Sequence, residues 1–175
     1  MYEYKTKPYE HQRTALNKGG LLHNFAYFME MGTGKTKVAI DNATYLYQQK
    51  EIKEVIVIAP NSVYRNWLSE IKTHSPIKPY TWVWKLDKPK DLDRASKNDD
   101  LIYLLFNVEA MSHRSGWKWL EARLTLNGTK TLLILDESTT IKNPGAIRTK
   151  HLCRLGKLAK YRRILTGSPV TKSPL

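Results

Sequence analysis

Six short runs of apolar and β-branched residues recur along this chain, each separated from the next by a stretch of helical periodicity. That alternation constrains the fold more than any other feature. The runs lie at Phe25–Met29, Val55–Ala59, Thr81–Trp84, Leu101–Phe106, Thr131–Leu135 and Arg163–Leu165 and read as strands. Candidate helices fall at Tyr9–Lys18, Lys35–Gln49, Ser62–Thr73, Gly116–Leu126 and Gly145–Lys157, several with Asn, Ser or Gly at the entry. The strands at Val55 and Leu132 are apolar throughout rather than alternating, which requires cover on both faces. The expected fold is therefore α/β: a doubly wound, mostly parallel sheet with helices on both faces. Ligands in such sheets bind beyond the carboxyl ends of the strands. The loops beginning near Glu30, Pro60, Asn107, Asp136 and Thr166 should then share one functional edge. Residues Lys85 to Asp100 are polar and mixed in charge, so they read as a surface connection with a short helix and too little apolar content to build core.

A length of 175 residues suits one domain spanning 1–175. No apolar run approaches the ~18 residues of a membrane span, so no membrane partner is expected. The amino terminus lacks an apolar signal, and Cys153 has no second cysteine to pair with; a reducing cytoplasm fits best. His11, His23, His74, His113 and His151 show no zinc-ligand spacing with Cys153 and read as surface or structural residues. The net charge of +13 calls for a polyanion partner, nucleic acid foremost, or for an acidic remainder of a larger protein.

Two motifs carry chemistry. Directly after the first strand stands Met31-Gly-Thr-Gly-Lys-Thr36, opening a helix at Lys37-Val-Ala-Ile. In that context Met31, Gly32, Thr33, Gly34, Lys35 and Thr36 read as a phosphate-binding loop. Gly32 and Gly34 let the backbone aim N–H groups at phosphate oxygens, Lys35 neutralises the β and γ phosphates, and the Thr36 hydroxyl can ligate Mg²⁺. The strict pattern fails at its first glycine, where Met29 stands. The second motif is Leu132-Leu-Ile-Leu-Asp136-Glu137-Ser138-Thr139. A lone acidic pair after a strand is usually solvated. Downstream of a phosphate loop it reads as a metal-shell carboxylate, Asp136, and a water-activating one, Glu137.

Six elements occur in the order of the superfamily-two helicases. They are Lys7-Pro-Tyr-Glu-His-Gln12, the glycine loop, Ala59-Pro-Asn-Ser-Val-Tyr-Arg-Asn-Trp67, Asp136-Glu-Ser-Thr139, Ile141-Lys-Asn-Pro144 and Leu165-Thr-Gly-Ser-Pro169. The chain most resembles the Swi/Snf-type branch, from about Pro8 to Leu175. The resemblance implies a RecA-like fold, ATP as fuel with Mg²⁺, and DNA more than RNA as partner. It implies Gln12 as an adenine reader, Thr166, Gly167 and Ser168 as the motif coupling hydrolysis to lobe movement, and nucleic-acid contacts from Ser62, Arg65, Asn66, Asn107, Lys142 and Asn143. Trp67, at helical spacing from Val63 and Ile71, reads instead as core. Thr139 departs from most relatives of the branch, which carry histidine there, so the resemblance does not carry over a link from that position to the threonine-glycine motif. Relatives continue into a second RecA-like lobe that supplies arginines, so the chain is expected to be the first lobe of a truncated protein and nearly inactive in hydrolysis alone. Two other readings are a P-loop regulatory module without motor activity and a metabolic kinase; the kinase would need an acceptor pocket and a lid, and neither is visible in the sequence.

Overall fold

A computed structural model describes residues 2–61, 63–137 and 145–167. Its strands are β1 (Asn24–Phe28), β2 (Glu54–Ala59), β3 (Tyr80–Val83), β4 (Ile102–Asn107), β5 (Thr131–Asp136) and β6 (Tyr161–Thr166). Its helices are α1 (Glu10–Gly19), α2 (Lys35–Gln48), α3 (Tyr64–His74), α4 (Pro89–Ala95), α5 (Arg114–Asn127) and α6 (Ile147–Leu158), with short 3₁₀ turns at Val108–Ser112 and Gly128–Lys130. The strands form one sheet in the order β1-β6-β5-β2-β4-β3, and every pairing is parallel.

The apolar pattern explains the layering. β2 and β5 are buried at every residue. Alternate residues of β2 point to opposite faces: Val55, Val57 and Ala59 join one apolar cluster, Ile56 and Ile58 the other. The first cluster is closed by Leu16 of α1, Val38, Ile40 and Leu46 of α2, and Trp67 and Ile71 of α3. The second is closed by Leu92 of α4, Leu120 and Leu124 of α5, and Leu152 and Leu155 of α6. The doubly wound expectation is met.

One expectation fails. The polar segment 85–100 does contribute core, because Leu92 and Ala95 stand one helical turn apart on α4 and pack with Trp82 of β3. Two apolar residues at i and i+3 make a buried stripe on a helix this short, and fully burying a leucine contributes about 2 kcal/mol.

Two polar groups inside the layers lock elements together. Glu54, at the start of β2, accepts from Arg123 and, at 2.9 Å, from the Asn127 amide, so α5 is held to the sheet. Arg163 of β6 is 1% exposed. It donates to Asn42 Oδ1 at 2.8 Å and to the carbonyls of Arg162 and Gly19 at 2.8 and 3.0 Å.

Candidate functional site

Register brings the motifs to one edge. Phe28 pairs with Thr166, Asp136 with Leu165, and Ala59 with Asn107, so the loops after β1, β2, β4, β5 and β6 all leave the sheet together. The shared edge follows from the all-parallel pairing.

The glycine loop leaves β1, an outermost strand of the sheet, and lies beside the loop after β6. Gly32 and Gly34 have φ of 77° and 82°, a region that costs any residue with a Cβ. At Gly34 a Cβ would also displace the Gln12 amide, whose Nε2 stands in its way. The left-handed Gly34 caps α2, which leaves the first N–H groups of that helix facing outward with its positive dipole end. Lys35 Nζ donates to the carbonyl oxygens of Met29 at 3.0 Å and Glu30 at 2.9 Å. Among the described residues the non-glycine positions with positive φ are Lys50, Lys85 and Glu137, and Met29 is not one of them. Methionine is therefore tolerated where the strict pattern has glycine. Thr36 lies half-buried in the first turn of α2.

Asp136 ends β5 and is 5% exposed. Its Oδ2 accepts the indole N–H of Trp67 at 2.9 Å. Burial pushes the carboxyl above its ordinary value, opposed by that hydrogen bond, by the Glu137 backbone N–H and by the Lys35 charge. Glu137 follows at φ 54° and is exposed. The left-handed backbone at this non-glycine residue turns the chain sharply at the strand end, which separates the two carboxylates into a buried and an exposed one. Strain of this kind concentrates at functional sites.

Thr166 and Gly167 abut the loop. Met29 N–H donates to the Thr166 carbonyl at 3.2 Å, and a Cβ on Gly167 would stand 3.1 Å from Met31 Cγ and 3.6 Å from Lys35 Nζ. Gln12 is buried beneath the loop. Its Oε1 accepts from Tyr9 N and its Nε2 donates to the Thr33 carbonyl, both at 3.0 Å. One amide hydrogen and one lone-pair direction of Gln12 lie outside these two bonds. Beside it opens a cleft of about 720 Å³ lined by Tyr9, Gln12, Gly32, Gly34, Lys37 and His74.

The outer candidates divide. Arg65 and Asn66 are exposed on the first turn of α3. Asn107 serves the fold: its Oδ1 caps the 3₁₀ turn through Ala110 N–H at 3.0 Å, and its Nδ2 donates to Asn61 at 2.7 Å. Ser62, Lys142, Asn143 and Ser168 lie outside the described residues, as does Thr139. Trp67 is fully buried, as its spacing indicates. Its bond to Asp136 is invisible in the sequence, because the two residues are 69 positions apart. His11 also reaches the site, with Nε2 3.0 Å from the Thr33 carbonyl.

These groups fit a nucleoside triphosphate with a hard divalent cation. A cationic Nζ rests on loop carbonyls, a helix amino terminus follows the same loop, and a buried carboxylate and a hydroxyl are of the kind that would supply the few oxygen ligands Mg²⁺ takes beside phosphate. The parallel sheet and this edge define a RecA-like nucleotide-binding lobe. The chain belongs to the SNF2-related domain family, whose model matches residues 10–174. It is 32% identical over 97% of its length to the human SWI/SNF-related matrix-associated actin-dependent regulator of chromatin subfamily A containing DEAD/H box 1, covering 16% of that protein. It is 28% identical over 92% of its length to the ATP-dependent helicase FUN30 of Saccharomyces cerevisiae, covering 14% of it. The structure resembles the Sulfolobus solfataricus SWI2/SNF2 ATPase core in complex with dsDNA. That match has a TM-score of 0.73 and 25% identity and covers 96% of this chain and 33% of that one. The chain thus spans about a sixth of the length of the curated relatives it matches. Among the described residues no helix is long and apolar enough to cross a membrane.

Proposed function

We propose that this lobe binds Mg-ATP and, joined to a second RecA-like lobe, hydrolyses it to drive movement along DNA. The observation that carries the reading is the meeting of Lys35, Asp136 and Gly167 at one sheet edge: the Lys35 charge acts on the Asp136 carboxyl, and a Cβ added to Gly167 would stand 3.6 Å from Lys35 Nζ.

On this reading Lys35 exchanges the Met29 and Glu30 carbonyls for the β and γ phosphates, while the N–H groups of Gly34, Lys35 and Thr36 take the remaining oxygens. Thr36 and Asp136 would hold Mg²⁺, whose bound charge would offset the charge developing on the phosphate oxygens. Glu137, exposed beside the buried Asp136, orients a water and takes its proton as the water oxygen bonds to the γ-phosphorus. The bond from that phosphorus to the β–γ bridging oxygen breaks, and ADP and inorganic phosphate leave. Gln12 offers its uncommitted donor and acceptor to the purine edge in the cleft beside Tyr9. Thr166, Gly167 and Ser168 relay loss of the γ-phosphate to the second lobe. Arginines from that lobe are worth roughly 10³–10⁵ in turnover in P-loop enzymes, so the lobe alone binds far better than it hydrolyses.

DNA as partner is supported by the +13 charge and by the duplex bound in the Sulfolobus relative. Ser62, Arg65, Asn66, Lys142 and Asn143 are the proposed backbone contacts, with Asn107 holding the neighbouring loop. A reducing cytoplasm as the working compartment rests on the lone Cys153. The test is phosphate release with and without duplex DNA from a polypeptide that joins this lobe to a second RecA-like lobe. DNA-stimulated turnover that Glu137→Gln abolishes is expected; turnover indifferent to DNA overturns the motor and leaves a nucleotide-binding regulatory module.

A further inference from the structure

Trp67 is the one tryptophan on the α1–α3 side of the sheet; Trp82, Trp84, Trp117 and Trp119 all pack on the opposite side. It is 0% exposed, and its single N–H is spent on the buried Asp136 carboxylate at 2.9 Å. A core position on α3 asks only for apolar volume, which phenylalanine or leucine supplies without bringing a polar atom that must be satisfied. The indole is a donor with no acceptor capacity on a rigid ring. It can therefore fix a carboxylate oxygen without competing for a cation.

We infer that Trp67 is a positioning residue for the metal-side carboxylate: its indole N–H holds Asp136 Oδ2 and so presents the other oxygen, Oδ1, to Mg²⁺. The inference rests on the proposed role of Asp136. Three observations carry it. Both partners are buried, so water does not replace the bond. Asp136 is the last residue of β5, where backbone pairing with β6 fixes the main chain and leaves side-chain rotation as the remaining freedom. Trp67 itself is anchored by packing with Ile71 and the β2 and β4 residues of the same cluster, so the donor does not follow the carboxylate. Partners of this kind, one bond removed from a metal, typically contribute 10- to 100-fold in metal affinity.

The experiment titrates this chain with a fluorescent ATP analogue in EDTA and then with increasing Mg²⁺. Trp67→Phe keeps the ring in the core and deletes the donor. It is expected to bind the analogue in EDTA as the parent does and to need about tenfold or more Mg²⁺ for half-maximal enhancement of binding. Asp136→Asn is expected to lose the Mg²⁺ enhancement altogether, and Trp67→Phe added to it is expected to change nothing further, since the two act through one bond. Should Asp136→Asn retain the enhancement, the metal role of Asp136 itself fails. Should Asp136→Asn lose it while Trp67→Phe keeps the parent's Mg²⁺ dependence, Asp136 stands and the positioning role of Trp67 is overturned. If Trp67→Phe does not fold, the indole N–H signals of the five tryptophans in the parent report instead. The signal displaced by Asp136→Asn is expected to move when Mg²⁺ is added to the nucleotide-bound chain, and one that stays still overturns the inference.

Discussion

Lys35 Nζ rests 3.0 Å from the carbonyl oxygen of Met29, the residue that stands where the strict phosphate-loop pattern places glycine. The ammonium is thus held over the loop by neutral oxygens that phosphate can replace. Lys35→Ala removes that charge without touching core. We expect unchanged circular dichroism and roughly a hundredfold weaker binding of a fluorescent ATP analogue, the ~3 kcal/mol upper range of a charge-assisted hydrogen bond. Unchanged affinity refutes the phosphate-loop assignment.

The two loop glycines are expected to respond differently to alanine. Gly32 has positive φ but nothing within 4 Å of a Cβ, whereas at Gly34 the Cβ meets the Gln12 amide. Gly32→Ala should lower stability by about 1 kcal/mol through backbone strain alone. Gly34→Ala should cost roughly 2–3 kcal/mol, because it also expels Gln12 from its bonds to Tyr9 and Thr33. Urea midpoints of the two variants decide the order.

Arg163 is a buried cation whose hydrogen-bond partners are neutral oxygens of Asn42, Gly19, Gly20, His23 and Arg162. Its removal strands several buried acceptors at once. We expect Arg163→Met to destabilise by about 3 kcal/mol, a fall in Tm of roughly 6–12 °C for a domain of this size. Arg163→Lys should recover only part of the loss, since an ammonium lacks the planar fork of donors. A Tm for Arg163→Met within two degrees of the parent contradicts the account.

Asp136 carries a carboxyl raised by burial above its usual value of 3.8. A raised acid destabilises the fold once it is ionised: the penalty grows as pH rises through the carboxylate range and disappears below it. Asp136→Asn is therefore expected to be more stable than the parent at pH 7, with the advantage shrinking as pH falls toward 4. Urea unfolding at several pH values measures it, and an advantage that grows on acidification reverses the sign. Gaining stability while losing function is the pattern of a strained active site.

Backbone contacts to DNA make affinity fall with salt by about 0.9 log units per phosphate for each log unit of salt on a duplex. Arg65→Ala combined with Lys142→Ala should weaken duplexes of different sequence alike and make that slope shallower, since phosphate contacts do not read bases. Fluorescence anisotropy at low salt tests this. Affinity that ignores salt assigns the +13 charge to another acidic partner.

The alternation of apolar runs and helical periods was sufficient for six strands, the wrapping of both faces and the functional edge, because strand periodicity and helix amphipathicity are local properties of the chain. The roles proposed for Gly34, Lys35 and Asp136 were readable for the same reason: each rests on a short local motif, the glycine loop for the first two and the acidic pair after a strand for the third. What the tertiary structure alone decided are the partners. Sequence spacing makes Trp67 a core residue, but only the packing of α3 against the end of β5 aims its N–H at Asp136. The family resemblance implies Gln12 as a purine reader, but only the fold shows its amide bound to Tyr9 and Thr33 beneath the loop. Arg163 reads as an ordinary strand residue, yet it is sealed among carbonyls from α1, β6 and the turn before β1. Hydrogen bonds between residues far apart in the chain depend on strand register and helix placement, and a linear pattern carries neither.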